Sequence, residues 1–119
     1  VGAKRTIALV YVNSALPSAP LSLGDIAAYA LADQDISREV TVRIFHLPLN
    51  VAHRKAADSV LECDPYLVGF SAYSWNFHTL KAIARTIKEA RPEVLSVFGG
   101  PNVSGAVRTH DCLRDYPYI

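Results

Sequence analysis

Methionine is absent from the 119 residues, and cysteine occurs only at Cys63 and Cys112. Two thiols are too few for a disulfide framework or a cysteine metal cage, so both read as reduced thiols of a cytoplasmic protein. No sign of charge prevails: twelve Lys and Arg, scattered along the chain, stand against eleven Asp and Glu. This lacks the clustered basic footprint of a nucleic-acid binder. No apolar run approaches bilayer-spanning length, and no stretch reads as a secretory signal peptide, so neither nucleic acid nor membrane is an expected partner. The phosphate loop Gly-x-x-x-x-Gly-Lys-Ser/Thr is missing, as is a Gly-x-Gly-x-x-Gly fingerprint after the first strand. His46, His53, His78 and His110 share no metal-ligand spacing, so no metal site is expected. A phospho-receiver needs an Asp where the third strand ends, and Ser71 stands there.

Half of the residues are hydrophobic, enough for a buried core. Thr6 to Val12 is a continuous apolar run of strand length, the pattern of a strand buried on both faces in a parallel sheet. Ser22-Leu-Gly-Asp25 reads as a capping box opening a helix, with an apolar stripe of Leu23, Ile26, Ala27, Ala30 and Leu31. Glu39 to Leu47 alternates at first and predicts a second strand, ended by Pro48. Asn50 is placed to cap a helix carrying Ala56, Ala57 and Val60. Asp64-Pro65 breaks that helix and leads into a third strand, Tyr66 to Ser71. Asn76 is expected to cap the next helix, whose stripe is Leu80, Ile83, Ala84 and Ile87. Val94 to Phe98 predicts a fourth strand, and a short helix is expected from about Ser104 to Leu113. The tail Tyr116-Pro117-Tyr118-Ile119 looks like the start of a fifth strand, and with the missing methionine it suggests a domain cut from a longer chain.

Strands alternating with helices through short loops predict an α/β doubly wound, Rossmann-like or flavodoxin-like domain: a parallel sheet, three layers, strand order 2-1-3-4 with a fifth strand outside. In that order the chain reverses between strands one and three, and a crevice opens at their carboxyl ends. Three loops line it: 13–21, 72–76 and 99–105. The second offers hydroxyls from Ser71, Tyr73 and Ser74 beside the flat surface of Trp75, a mixture suited to a large, partly apolar ligand. The third is rich in glycine, which lets backbone approach a ligand closely, though a plain strand-to-helix turn would read the same. Gly69, inside strand three, removes a side chain where something approaches, a helix or a ligand.

Asp64-Pro-Tyr-Leu-Val-Gly-Phe-Ser-Ala-Tyr-Ser-Trp-Asn76, followed by Phe98-Gly-Gly-Pro-Asn-Val-Ser-Gly105, resembles the N-terminal cobalamin-binding domain of class B radical S-adenosylmethionine enzymes. The resemblance covers nearly the whole chain, 1–119, and is most specific from Asp64 to Gly105. It implies a cobalamin held over the carboxyl edge of the sheet, its nucleotide tail running down between strands one, three and four. The cofactor contacts it implies are Asn13 and Ser14 after strand one, then Ser71, Ala72, Tyr73, Ser74 and Trp75. After strand four come Gly99, Gly100, Pro101, Asn102 and Gly105. Cobalamin domains with a histidine lower ligand carry Asp-x-His-x-x-Gly after strand one, and Val12-Asn13-Ser14 has no histidine. The implied state is therefore base-off and His-off, the lower face vacant or shielded by Tyr73 or Trp75.

The family further implies methyl transfer by way of methylcobalamin. S-adenosylmethionine and a 4Fe–4S cluster would belong to a C-terminal radical domain, whose Cys-x-x-x-Cys-x-x-Cys loop is absent here, so this chain alone is not expected to turn over. That domain, with the small-molecule or peptide substrate bound to it, is the expected partner. The family includes enzymes of antibiotic biosynthesis, the tryptophan methylation of thiopeptides among them. Two other readings stand beside it: a docking domain that has lost its cofactor, and a flavin or nucleotide binder. On the family reading, Gly100→Val should abolish corrinoid retention and leave the far-ultraviolet circular dichroism unchanged.

Overall fold

The computed structural model of the chain describes residues 4–13, 21–103 and 106–119, with the backbone alone at 106–110. The first apolar run forms β1 (Arg5–Asn13), followed by α1 (Leu21–Ala32), α2 (Gln34–Glu39) and β2 (Val40–Pro48). Then come α3 (His53–Leu61), β3 (Pro65–Ser71), α4 (Phe77–Ala90) and β4 (Leu95–Gly99). A 3-10 turn, Pro101–Val103, and α5 (Ala106–Asp115) complete the order. The four strands make one sheet, β2-β1-β3-β4, and every neighbouring pair is parallel. This is the doubly wound fold expected from the alternation.

Side chains alternate across a strand, so the sheet has two faces of different fate. Ala8, Val10, Val12, Val68 and Phe70 point to one face and are buried. There α3 and α4 supply Ala56, Ala57, Val60, Leu80, Ile83, Ala84 and Ile87, and these residues form the core. Each fully buried Leu or Ile contributes about 1.5–3 kcal/mol by leaving water. The 3.6-residue stripe of α4 is buried as the periodicity predicts.

The other face carries Leu9, Leu67, Gly69 and Val97, and it is only partly covered. α1 lies over β1 and β2. Of its expected stripe only Leu23 is buried; Ile26 is 57% exposed and Leu31 39%. A helix pattern shows which face is apolar, not whether the fold supplies something to cover it. Among the described residues, the space beside α1, over β3 and β4, stays open.

Other differences are local. Ser22 lies within α1 rather than ahead of it, so Ser22 and Asp25 do not form the expected capping box. Helix α2 was not expected; Asp33 caps it, its carboxylate accepting from the Asp35 and Ile36 N–H groups at 2.9 and 3.2 Å. Ala52, not Asn50, holds the N-cap position of α3, with no side-chain bond. The tail after α5 is a turn closed by the Ile119 N–H on the Tyr116 carbonyl, not a fifth strand. No helix among the described residues is long and apolar enough to cross a membrane.

Candidate cofactor site

The open space beside α1 is a groove of about 440 Å³, within the usual range for small-molecule sites. It runs from the carboxyl edge of the sheet down along β3 and β4. Its floor is Leu9 of β1, Leu67 and Gly69 of β3, and Val97 of β4; Leu23 and Ile26 of α1 form one wall. Ser71, Tyr73, Gly99, Gly100 and Pro101 line the end at the carboxyl edge. The register sets Gly69 between Leu9 and Val97. A Cβ on Gly69 would stand 2.9 Å from Leu9 Cδ2, so this glycine makes room for the Leu9 side chain that lies over it in the floor.

The two adjacent glycines differ. A Cβ on Gly99 would meet nothing within 4 Å, so the space above it is free. Gly100 has φ +104°, and a Cβ there would fall 2.5 Å from the Ala72 carbonyl oxygen and 2.9 Å from its nitrogen. Gly100 is thus required by its own backbone, whatever binds. The expectation that Gly100→Val would leave the fold untouched is corrected on this ground.

Ala72 locks the two loops together. Its N–H donates to the Gly99 carbonyl at 2.7 Å, and its own carbonyl accepts from the Asn102 N–H at 3.2 Å. With Ala72 fully buried and both backbone groups engaged, Ala72 and Asn102 shape the loops rather than line the groove.

Asn76 is the main correction among the polar residues. It holds the N-cap position of α4 but makes no capping bond with its side chain. Instead the fully buried amide turns back to the strand ends. Its Nδ2 donates to the Val12 carbonyl at 3.0 Å and the Ser71 carbonyl at 3.1 Å, while its Oδ1 accepts from the Tyr73 N–H at 2.7 Å. One side chain therefore ties β1, β3 and the following loop into a single unit.

That unit presents a row of rings. Trp75 stacks on Tyr73 with centroids 4.4 Å apart, Tyr73 meets Tyr11 edge-on at 6.2 Å, and Tyr11 stacks on His46 at 5.4 Å. Trp75 is 51% exposed and lies beside the groove, not in it; Ser74 is also exposed. Burial, and next the Tyr73 phenol, push the Tyr11 phenol up, so it is neutral at pH 7. His46 is half-buried at the end of β2, its Nε2 without a hydrogen-bond partner among the described residues. His53 and His78 lie outside the groove, on α3 and α4. Asn13 ends β1, whereas Ser14 and Gly105 lie outside the described residues. No cluster of three metal-ligating side chains occurs among those described.

Fold and groove together define a doubly wound ligand-binding domain whose site opens at the reversal point of the sheet. Residues 6–116 match the B12 binding domain family, and the chain belongs to that family. It is 31% identical over 117 residues to the cobalamin-dependent radical SAM methyltransferase TokK of Streptomyces tokunonensis. It is 30% identical over 115 residues to the 2-(S-pantetheinyl)-carbapenam-3-carboxylate methyltransferase of Streptantibioticus cattleyicolor. Both alignments take in 97% of this chain and 16% of the relative, so the chain spans about a sixth of their length. A cobalamin-binding protein of Desulfitobacterium hafniense DCB-2 shares the fold, with TM-score 0.58 and 20% identity over 92% of this chain and 48% of that one.

Proposed function

We propose that this chain is the cobalamin-binding domain of a radical S-adenosylmethionine methyltransferase, and that it holds the corrinoid base-off with the nucleotide arm in the groove beside α1. The observation that carries the reading is the shape and chemistry of that groove. Its glycine- and hydroxyl-bearing end lies at the carboxyl edge, and its apolar depth runs down the sheet. A phosphate and ribose suit the first, a flat aromatic base the second. When bound, cobalamin supplies a cobalt centre able to carry a methyl group from S-adenosylmethionine to an acceptor.

The chain's own part is to bind, orient and exclude water. Ser71 and the Gly99–Gly100 backbone receive the arm where it enters, with Pro101 beside them. Tyr73 and Trp75 supply a flat surface at the mouth, against which the corrin would rest. Among the described side chains no histidine is offered to the metal: His53 and His78 lie outside the groove, and His46 is stacked on Tyr11. S-adenosylmethionine, the iron–sulfur cluster and the methyl acceptor belong to the remaining five-sixths of a protein of the relatives' length. An acceptor of carbapenam type follows the second relative's name. A cytoplasmic setting accords with two unpaired thiols.

Trp75 is the only tryptophan, which makes the test direct. Titration with hydroxocobalamin is expected to quench its emission strongly and saturably, because corrin absorption overlaps indole emission. Desalting should leave corrinoid bands on the protein. Unquenched emission and a colourless protein would sink the reading and favour a docking domain, whereas retained flavin would favour the nucleotide binder.

Replacing His46, His53, His78 or His110 in turn by Gln is expected to leave the visible spectrum of the bound corrinoid unchanged. A shift toward a nitrogen-ligated spectrum in the wild type, lost in one of these variants, would identify a histidine ligand and overturn that part of the proposal.

A further inference from the structure

We infer that the groove discriminates between corrinoids by their lower base, accepting a benzimidazole-type base and disfavouring a purine. This rests on the cobalamin reading above and adds a specificity that family membership does not supply.

The groove changes character with depth. Leu67 stands four residues down β3 from Ser71, about 13 Å at the usual 3.3 Å rise per residue. Its neighbour on β4 is Leu95, and that of Gly69 is Val97. Among the described lining residues the polar side chains are hydroxyls only: Ser22, Ser71 and Tyr73. All three belong to the mouth. Ser71 ends β3, Tyr73 follows it, and Ser22 stands in the first turn of α1, which starts from the carboxyl edge. The depth is Leu9, Leu23, Ile26, Leu67 and Val97. β3 is paired on both sides, so its peptide groups are committed to the ladders and offer little to a base lying on them.

A dimethylbenzimidazole released from cobalt has one ring nitrogen able to accept and two methyl groups that gain by burial. An adenine carries an exocyclic amine and several ring acceptors, all hydrogen-bonded in water. Against these apolar side chains they find no protein partner, and each one that the groove takes out of water is left unpaired, which is costly. The preference expected is tenfold or more in Kd, enough to matter where different corrinoids compete.

The experiment compares three ligands on the wild-type chain by Trp75 quenching: cobalamin, the adeninyl analogue, and cobinamide, which lacks the nucleotide arm. Cobalamin is expected to bind at least tenfold tighter than either of the others. Equal affinity for cobalamin and the adeninyl analogue would overturn the inference while leaving the cobalamin reading intact. Binding of none of the three would overturn the cobalamin reading itself, and cobinamide binding as well as cobalamin would remove the arm from the groove.

Val97→Asn supplies the second arm. Val97 is half-exposed, so the fold tolerates the change, and the new amide gives a purine a partner. The cobalamin preference should shrink several-fold in this variant. A preference that does not move would count against base reading at this depth.

Discussion

Gly99→Val is expected to abolish corrinoid retention with the fold intact, and Gly100→Val, one residue on, to damage the fold itself. The first adds an isopropyl group where a Cβ has nothing within 4 Å, so the protein gives way nowhere and the groove mouth fills. Retention after desalting should fall at least tenfold, with the melting temperature near that of the wild type.

The second change forces a β-branched residue into φ +104° and drives its Cβ against the Ala72 backbone. The backbone strain costs roughly 1–3 kcal/mol. Overpacking adds about 1–3 kcal/mol, because the opposing atoms are main chain and cannot swing away. About 1 kcal/mol shifts Tm by roughly 4 °C in a domain near this size, so a fall on the order of 10 °C or more is expected. Thermal melts of both variants beside the desalting assay check the pair. A Gly99→Val protein that retains corrinoid normally would show that the arm does not pass over that residue. A Gly100→Val protein as stable as the wild type would contradict the Ala72 contact.

Asn76 carries the other large effect. Asn76→Ala removes three hydrogen bonds at a fully buried position. Each buried group left unpaired costs about 1–3 kcal/mol, and with three such groups a total loss of at least roughly 3 kcal/mol is expected. The loop from Tyr73 to Trp75 loses its tether, so the near-ultraviolet circular dichroism of Trp75 should weaken even where the far-ultraviolet spectrum is native.

Asn76→Asp gives the claim a pH signature. The introduced carboxyl keeps an acceptor for the Tyr73 N–H but sets its second oxygen against the Val12 and Ser71 carbonyls. Burial and those carbonyls disfavour its ionised form, so its folded pKa lies above the unfolded value of about 3.9. Stability tied to the protonated form is then fully present below the unfolded pKa and is lost as pH rises through the folded one. Urea midpoints for this variant should be higher at pH 5 than at pH 8, by more than any change in the wild type. Parallel behaviour of the two proteins would mean that the side chain at this position does not face the carbonyls.

How much of this was legible in the sequence depended on the range of the interactions. β1 and α4 follow from local patterns: an unbroken apolar run, and a stripe at 3.6-residue spacing with charge on the opposite face. The strand order and the crevice follow from alternation and crossover handedness, which are general. The role of Asn76 was hidden because its partner Val12 lies 64 residues away, while the nearer signal, a polar residue just before a helix, pointed to an ordinary cap. Gly99 and Gly100 look alike as letters; only the backbone torsion separates the one that leaves room from the one that the turn requires. The stripe of α1 was legible as apolar, but not its exposure, since periodicity is silent about what lies opposite.

Leu9, Leu23 and Val40 are buried on the α1 face among the described residues, against more than a dozen on the other. Among the described residues the hydrophobic core is lopsided, dense on one side of the sheet and sparse on the other. A ligand seated in the groove would act as missing core material, and by mass action its free concentration would set the stability of the polypeptide. Where the ligand is scarce the folded fraction would then fall, which makes its supply a control on abundance.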